Sequence, residues 1–94
     1  KRRVEGPPDL VVEIISGTAR RDRVEKLDLY ARYGVPEYWI VDPDSQVIEF
    51  LVNEGGRFVV QSPANDRYRS PRLPEVEIEL SAFWREVDER LPEN

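Results

Sequence analysis

The segment Asp9-Leu-Val-Val-Glu-Ile-Ile-Ser16 constrains this chain more than any other. It follows Pro7-Pro8, is dense in β-branched residues, and is apolar on both faces except at Asp9 and Glu13. That is the pattern of a central strand covered on both sides. Gly17 breaks the run, and Ser16 or Thr18 can cap a following helix. Between about Arg20 and Tyr33, the residues Val24, Leu27 and Ala31 fall at i, i+3 and i+7, the spacing of a buried helical stripe, with Tyr30 beside them. Gly34 supplies the C-terminal stop. Glu37-Tyr-Trp-Ile-Val-Asp42 reads as a second strand. A helix of this length between two strands predicts a right-handed crossover that leaves them parallel.

Downstream, Asp42-Pro43-Asp44-Ser45 is a turn by composition. Gln46 to Val52 reads as a third strand, antiparallel to the second. A turn at Asn53-Glu54-Gly55-Gly56 leads to a fourth strand over Arg57 to Gln61. Residues 62–74 read as a loop. Val76, Ile78 and Leu80 alternate with Glu75, Glu77 and Glu79, which marks an edge strand with one wet face. Ser81 is placed to cap a final helix from Ala82 to about Arg90, with Phe83, Trp84 and Val87 turned inward. The fold class is therefore α/β, a mixed sheet flanked by helices. The 94 residues allow one domain at most, spanning 1–94. The chain opens on Lys1 and contains no Met, which reads as a piece of a longer protein.

Composition narrows the chemistry. There is no His and no Cys. Disulfides, thiol nucleophiles, Cys/His zinc sites and Ser-His-Asp triads are excluded within this chain. Asp, Glu, Lys, Arg, Tyr, Ser and Thr remain, and the metals that suit them are hard cations held by carboxylate oxygens, Mg²⁺ first and Mn²⁺ second. No apolar run approaches the ~20 residues of a membrane span, so the expectation is a soluble, cytoplasmic protein with no membrane partner. The net charge of −5 argues against a purely electrostatic nucleic-acid binder. The charge is uneven, +2 over residues 1–34 and −7 over 35–94. The basic end holds Lys1, Arg2, Arg3 and the cluster Arg20, Arg21, Arg23, for which a solvated surface is the plain reading.

Two carboxylates interrupt the apolar run. Asp9 and Glu13 point to the same side of a strand, about 13 Å apart, too far to hold one ion by themselves. Asp9 lies at the strand mouth, where an acid is easily solvated. Glu13 lies between Val12 and Ile14, where a carboxylate has to be paired, protonated or metal-bound. A salt bridge to an Arg or Lys and a functional carboxylate both remain open. On the helix, Asp22, Lys26 and Tyr30 form an i, i+4, i+8 row. Asp22–Lys26 reads plainly as an ordinary helix pair. Lys26, however, is one of two lysines in a chain that otherwise uses twelve arginines. A helix packed on the strand could bring Lys26 toward Glu13. A metal-bound carboxylate beside a Lys can hydrolyse phosphodiesters, the metal activating water and the Lys assisting it or stabilising developing charge.

The stretch Pro8-Asp-Leu-Val-Val-Glu-Ile-Ile-Ser16, with Arg21-Asp22, Lys26, Tyr30, Gly34-Val35 and Glu37-Tyr-Trp-Ile-Val-Asp-Pro43, resembles the Uma-two family of restriction-endonuclease-like proteins, within the PD-(D/E)XK nuclease superfamily. These motifs cover residues 7 to about 52, in register. The resemblance implies a restriction-endonuclease-like fold, with this chain as its C-terminal part. It also implies Mg²⁺- or Mn²⁺-dependent hydrolysis of DNA. Glu13 matches the acidic residue of the (D/E)XK element. The Lys two positions later is replaced by Ile15, and Lys26 matches a helix Lys that the family uses instead. The family's principal metal-binding Asp would lie upstream of Lys1. Asp9 resembles a second Pro-Asp before the Glu strand. The site residues that follow are Glu13, Lys26 and Asp9, with Glu13 and Asp9 toward the metal. Where relatives tend to read Ser-Pro-Ser-Thr, this chain has Ser16-Gly17-Thr18-Ala19.

Competing readings stand beside this one. The chain could be a catalytically inactive nuclease-fold module for binding or assembly, as the acidic net charge and the lost strand lysine suggest. It could self-associate, as a homodimer, through sheet and helix faces left bare. Tyr38 and Trp39 read as core residues rather than base-stacking platforms, and Asp42 reads as a turn residue. A Ser16–Lys26 dyad has no oxyanion-hole element beside it.

Overall fold

The computed structural model describes residues 8–15 and 20–90, and of residues 20–25 the backbone alone. Two compact units divide the chain, residues 1–61 and 62–94. In the first unit, β1 (Val11–Ile14), α1 (Arg20–Tyr33), β2 (Glu37–Asp42), β3 (Val47–Asn53) and β4 (Phe58–Gln61) build a four-stranded sheet in the order β1-β2-β3-β4. β1 and β2 are parallel across the α1 crossover, with Val11 beside Tyr38 and Glu13 beside Ile40. β2, β3 and β4 form the antiparallel meander that the sequence predicts.

The α1 boundaries follow from local chemistry. Gly34 has φ 92°, a left-handed conformation that suits glycine. Its N–H donates to the Ala31 carbonyl at 3.2 Å, and the Val35 N–H donates to the Tyr30 carbonyl at 3.1 Å. This pair of bonds is a Schellman motif, which satisfies carbonyls that the helix end would leave bare. Asn53 ties the same corner to the sheet. Its amide donates to the carbonyls of Ala31 at 3.1 Å and Val35 at 2.9 Å, while its Oδ1 accepts from the Gly56 N–H at 2.9 Å. The direction in which α1 returns to β2 is thereby fixed.

Alternation along the strands sorts the sheet into two faces. On one, Tyr38, Ile40 and Leu51 are buried against Val11, Ile15, Leu27, Tyr30 and Phe58. This is the face that α1 covers, and Leu27 and Ala31 contribute the helical stripe as predicted. On the other, Trp39, Val41, Phe50 and Val52 are buried, and the Trp39 and Phe50 rings meet edge to face at 5.0 Å.

One expectation is corrected here. The run from Asp9 to Ser16 predicts a central strand covered on both sides. Among the described residues β1 is instead the edge of its sheet, with β2 as its one neighbour. Val12 is 51% exposed and Ile14 70%. Val12 and Ile14 point to the face opposite α1, and residue type reports what a strand can bury, while coverage depends on what packs over each face.

In the second unit, β5 (Arg67–Arg69) and β6 (Glu77–Glu79) pair antiparallel, and α2 (Leu80–Arg90) follows directly. β5 lies inside the stretch that composition reads as loop. Its three residues are too few to show an alternation. The cap of α2 also differs from expectation. Ser81 lies inside the helix, and Asp66 caps it from a distance, its carbonyl accepting from the Leu80 N–H at 2.9 Å and its carboxylate from the Ser81 N–H at 3.2 Å. Phe83, Trp84 and Val87 are half-buried, and α2 contains no fully buried residue.

Candidate functional site

Glu13 lies on the sheet face that α1 covers, beside Ile40 and two positions beyond Val11. Tyr30 of α1 packs edge-on against Tyr38 at 5.2 Å and 90°. Lys26 stands one helical turn before Tyr30 on the same side. That places its long side chain over the strand next to β2. The Lys26 Nζ donates to Glu13 Oε2 at 2.5 Å, and the Tyr38 hydroxyl donates to Glu13 Oε1. A carboxylate in an apolar strand thus has a partner on each oxygen.

Exposure rises along this line of three groups. Tyr38 is fully buried, the Glu13 side chain is 23% exposed, and that of Lys26 is 44% exposed. Burial pushes the Glu13 carboxyl upward. The hydrogen bonds from Lys26 and Tyr38 and the charge of Lys26 outweigh it, so the carboxyl is held below its ordinary value. Glu13 therefore presents a charged carboxylate whose Oε2 faces a half-exposed ammonium.

The residues singled out by sequence separate into groups. Glu13 and Lys26 are brought into contact. Asp9 is exposed in the bend before β1 and takes no part in that contact. The side chain of Asp22, the segment Ser16-Gly17-Thr18-Ala19, Lys1, Arg2 and Arg3 lie outside the described residues, as do the side chains of Arg20, Arg21 and Arg23. Asp42 is a turn residue, as its setting before Pro43 predicts: its Oδ1 accepts from the N–H groups of Asp44 at 3.1 Å and Ser45 at 3.4 Å.

Two polar roles escape the sequence reading. Tyr38 reads as core, and it is core, but its hydroxyl also reaches Glu13. The signal for this is the strand register, which places Tyr38 beside Val11 and so on the face of Glu13. Glu37, on the opposite face, is fully buried and accepts from Trp39 Nε1 at 3.4 Å. Its place at the very start of β2 gave no sign of burial.

Carboxylate oxygens suit Mg²⁺ or Mn²⁺, and Glu13 is of that type. Among the described residues no group of three or more Asp or Glu side chains gathers into a metal-holding cluster. Beyond Ile40, a shallow cleft lined by Ile15, Asp42, Ser45, Val47 and Glu49 opens on the same face of the sheet. Among the described residues no helix is long and apolar enough to cross a membrane.

Comparison with known proteins bears on the fold and the family. No curated protein matches the chain. Among solved structures, it is similar to the crystal structure of "a putative nuclease belonging to DUF820" from Anabaena variabilis, at 17% identity and a TM-score of 0.66. The match covers 86% of this chain and 46% of that one, so the chain spans under half the length of that protein. This likeness shows the fold: a mixed α/β sheet with helices. The family model Uma2, described as "Putative restriction endonuclease", matches residues 1–83. With most of its length matched, the chain belongs to the Uma2 family of restriction-endonuclease-like proteins.

Proposed function

We propose that this protein is a metal-dependent nuclease that hydrolyses phosphodiester bonds in DNA, with Glu13 and Lys26 at its centre. The contact that carries the reading is the 2.5 Å hydrogen bond from Lys26 Nζ to Glu13 Oε2. It joins the acidic strand residue and the helix lysine that the Uma-two resemblance pairs, although Ile15 stands where a strand lysine would be.

The chemistry of the pair supports the assignment. Glu13 stays ionised, because its partners outweigh the burial that would protonate it. An ionised carboxylate accepts a proton or holds a hard cation. Lys26 is a compact ammonium on a flexible stem, partly open to solvent. It would orient a water held by Glu13, or stabilise charge on the phosphate oxygens. Glu13 would hold the metal, with Asp9 as the second acid of the same segment and a further carboxylate contributed from outside the described residues. When bound, Mg²⁺ or Mn²⁺ supplies Lewis-acid polarisation of the phosphate and lowers the pKa of its water.

Incubating the intact protein with supercoiled plasmid, with and without Mg²⁺ or Mn²⁺, tests this reading. Metal-dependent nicking is the expected result. Absence of nicking, together with no heat of Mg²⁺ binding at millimolar concentration, would favour a nuclease-fold module that binds without cutting.

A further inference from the structure

We propose that Tyr38 is a positioning residue for Glu13, its buried hydroxyl anchoring one carboxylate oxygen so that the other is presented to Lys26 and to the solvent side. The proposal rests on the reading of Glu13 as the acidic residue of the site.

The first support is the division of labour across the carboxylate. Tyr38 takes Oε1 and Lys26 takes Oε2. The two partners differ in mobility. Lys26 has a long stem and a half-exposed end. Tyr38 has two side-chain torsions and no exposure. Its ring is held edge-on by Tyr30 at 5.2 Å and by Phe58 at 5.6 Å, and its backbone is paired to Val11 on one side and Leu51 on the other. A donor fixed in this way sets the rotation of the carboxylate. A lysine alone would not, because it can follow the carboxylate as it turns.

The second support is the kind of hydrogen bond. A phenol donating to a carboxylate is charge-assisted, and such bonds are roughly twice as strong as neutral ones. Phe at position 38 would fill the same space against Tyr30, Phe58 and Leu51. The hydroxyl therefore contributes little to packing and much to the state of Glu13. Partners of this kind behind a metal-facing group typically change metal affinity or activity about 10–100-fold.

Among the described residues, the titratable groups on this face are Lys26 and Tyr30 from α1, Tyr38 and Asp42 from β2, and Glu49 from β3, with Glu49 in the cross-strand row that runs from Glu13 through Ile40. Changing the hydroxyl of Tyr38 alone leaves the others in place.

The test is the titration of the Glu13 carboxyl in the full chain, read by carbon-13 NMR, in the wild type, in Tyr38→Phe and with 3-fluorotyrosine placed at position 38. The Glu13 midpoint is expected to rise in Tyr38→Phe, where a donor to the charged form is lost. It is expected to fall with 3-fluorotyrosine, whose more acidic phenol donates more strongly. A residue that serves packing alone would leave both midpoints at the wild-type value, and that result overturns the proposal. If Tyr38→Phe does not fold, the fluorinated chain decides, since it keeps the ring and the hydroxyl. In the nuclease assay, Tyr38→Phe is expected to lose about 10-fold in rate, with the acid limb of its pH profile moved up. If the midpoints move as expected while no form of the protein cuts DNA, the positioning role stands and the nuclease reading fails.

Discussion

Lys26 and Glu13 are separated by 13 positions in the chain, and the lysine Nζ donates to Glu13 Oε2 at 2.5 Å. The contact is a product of the β1–α1–β2 crossover. α1 returns over the sheet, Tyr30 seats on Tyr38, and the residue one turn earlier is delivered to the neighbouring strand. The same geometry accounts for the lysine in a chain that otherwise prefers Arg. A point ammonium can approach one carboxylate oxygen and leave the other to Tyr38. A planar guanidinium tends to engage both oxygens at once.

Lys26→Met removes both the charge and the donor while keeping a similar stem. Burial of Glu13 is then opposed by Tyr38 alone. The Glu13 titration midpoint is expected to rise, and cleavage to fall by about 100-fold or more. Lys26→Arg is expected to keep the midpoint low and still lose most of the rate, because the charge remains and the geometry changes. NMR titration and a nicking assay on the same samples read both effects.

Glu13 also makes stability depend on pH, and the sign follows from its lowered value. The folded carboxyl holds its proton more weakly than the unfolded one, whose ordinary value is 4.5. Its contribution is present above that value and is lost as pH falls through the folded value. Glu13→Gln removes the contribution at every pH. Thermal melts of the wild type and Glu13→Gln should therefore converge as the solution is acidified below 4.5. Equal separation of the two melting temperatures at all pH values would contradict this.

Asn53 holds three segments with one side chain: the last turn of α1, the link to β2 and the turn before β4. Asn53→Ala leaves the carbonyls of Ala31 and Val35 without this donor. The expected loss is about 1–3 kcal/mol in urea unfolding. Asn53→Asp should be at least as damaging, since it places an anion against the same two carbonyls.

Asp42 separates turn chemistry from site chemistry. Its Oδ1 serves the N–H groups of Asp44 and Ser45. Asp42→Ala is expected to lower stability by about 1 kcal/mol and to leave the nicking rate per folded molecule unchanged. A large loss of rate with full folding would move Asp42 into the site.

The sequence was most informative where one local pattern carries the information. The α1 span was legible from the Val24, Leu27, Ala31 spacing and from Gly34, and the β2–β3–β4 meander from its two turns. The Glu13–Lys26 contact could be anticipated because a carboxylate between Val12 and Ile14 needs a partner and the next helix supplies one. Tyr38 was not legible as a polar partner, since its hydroxyl meets Glu13 only once β1 and β2 are placed in register. The edge position of β1 escaped for a related reason: Val12 and Ile14 are apolar whether or not a neighbour covers them. Asp66 capping α2 from 15 residues before Ser81 is likewise a tertiary event, and Ser81 offered a nearer local candidate.

The most direct measurement of the central claim is the rate of Mg²⁺-dependent plasmid nicking by the intact protein compared with its Glu13→Gln variant, both verified as folded. Gln keeps the shape and an acceptor for Tyr38 and Lys26 but removes the charge. The account predicts metal-dependent nicking by the wild type and a loss of about 100-fold or more in Glu13→Gln. Nicking at the wild-type rate by the variant would contradict it.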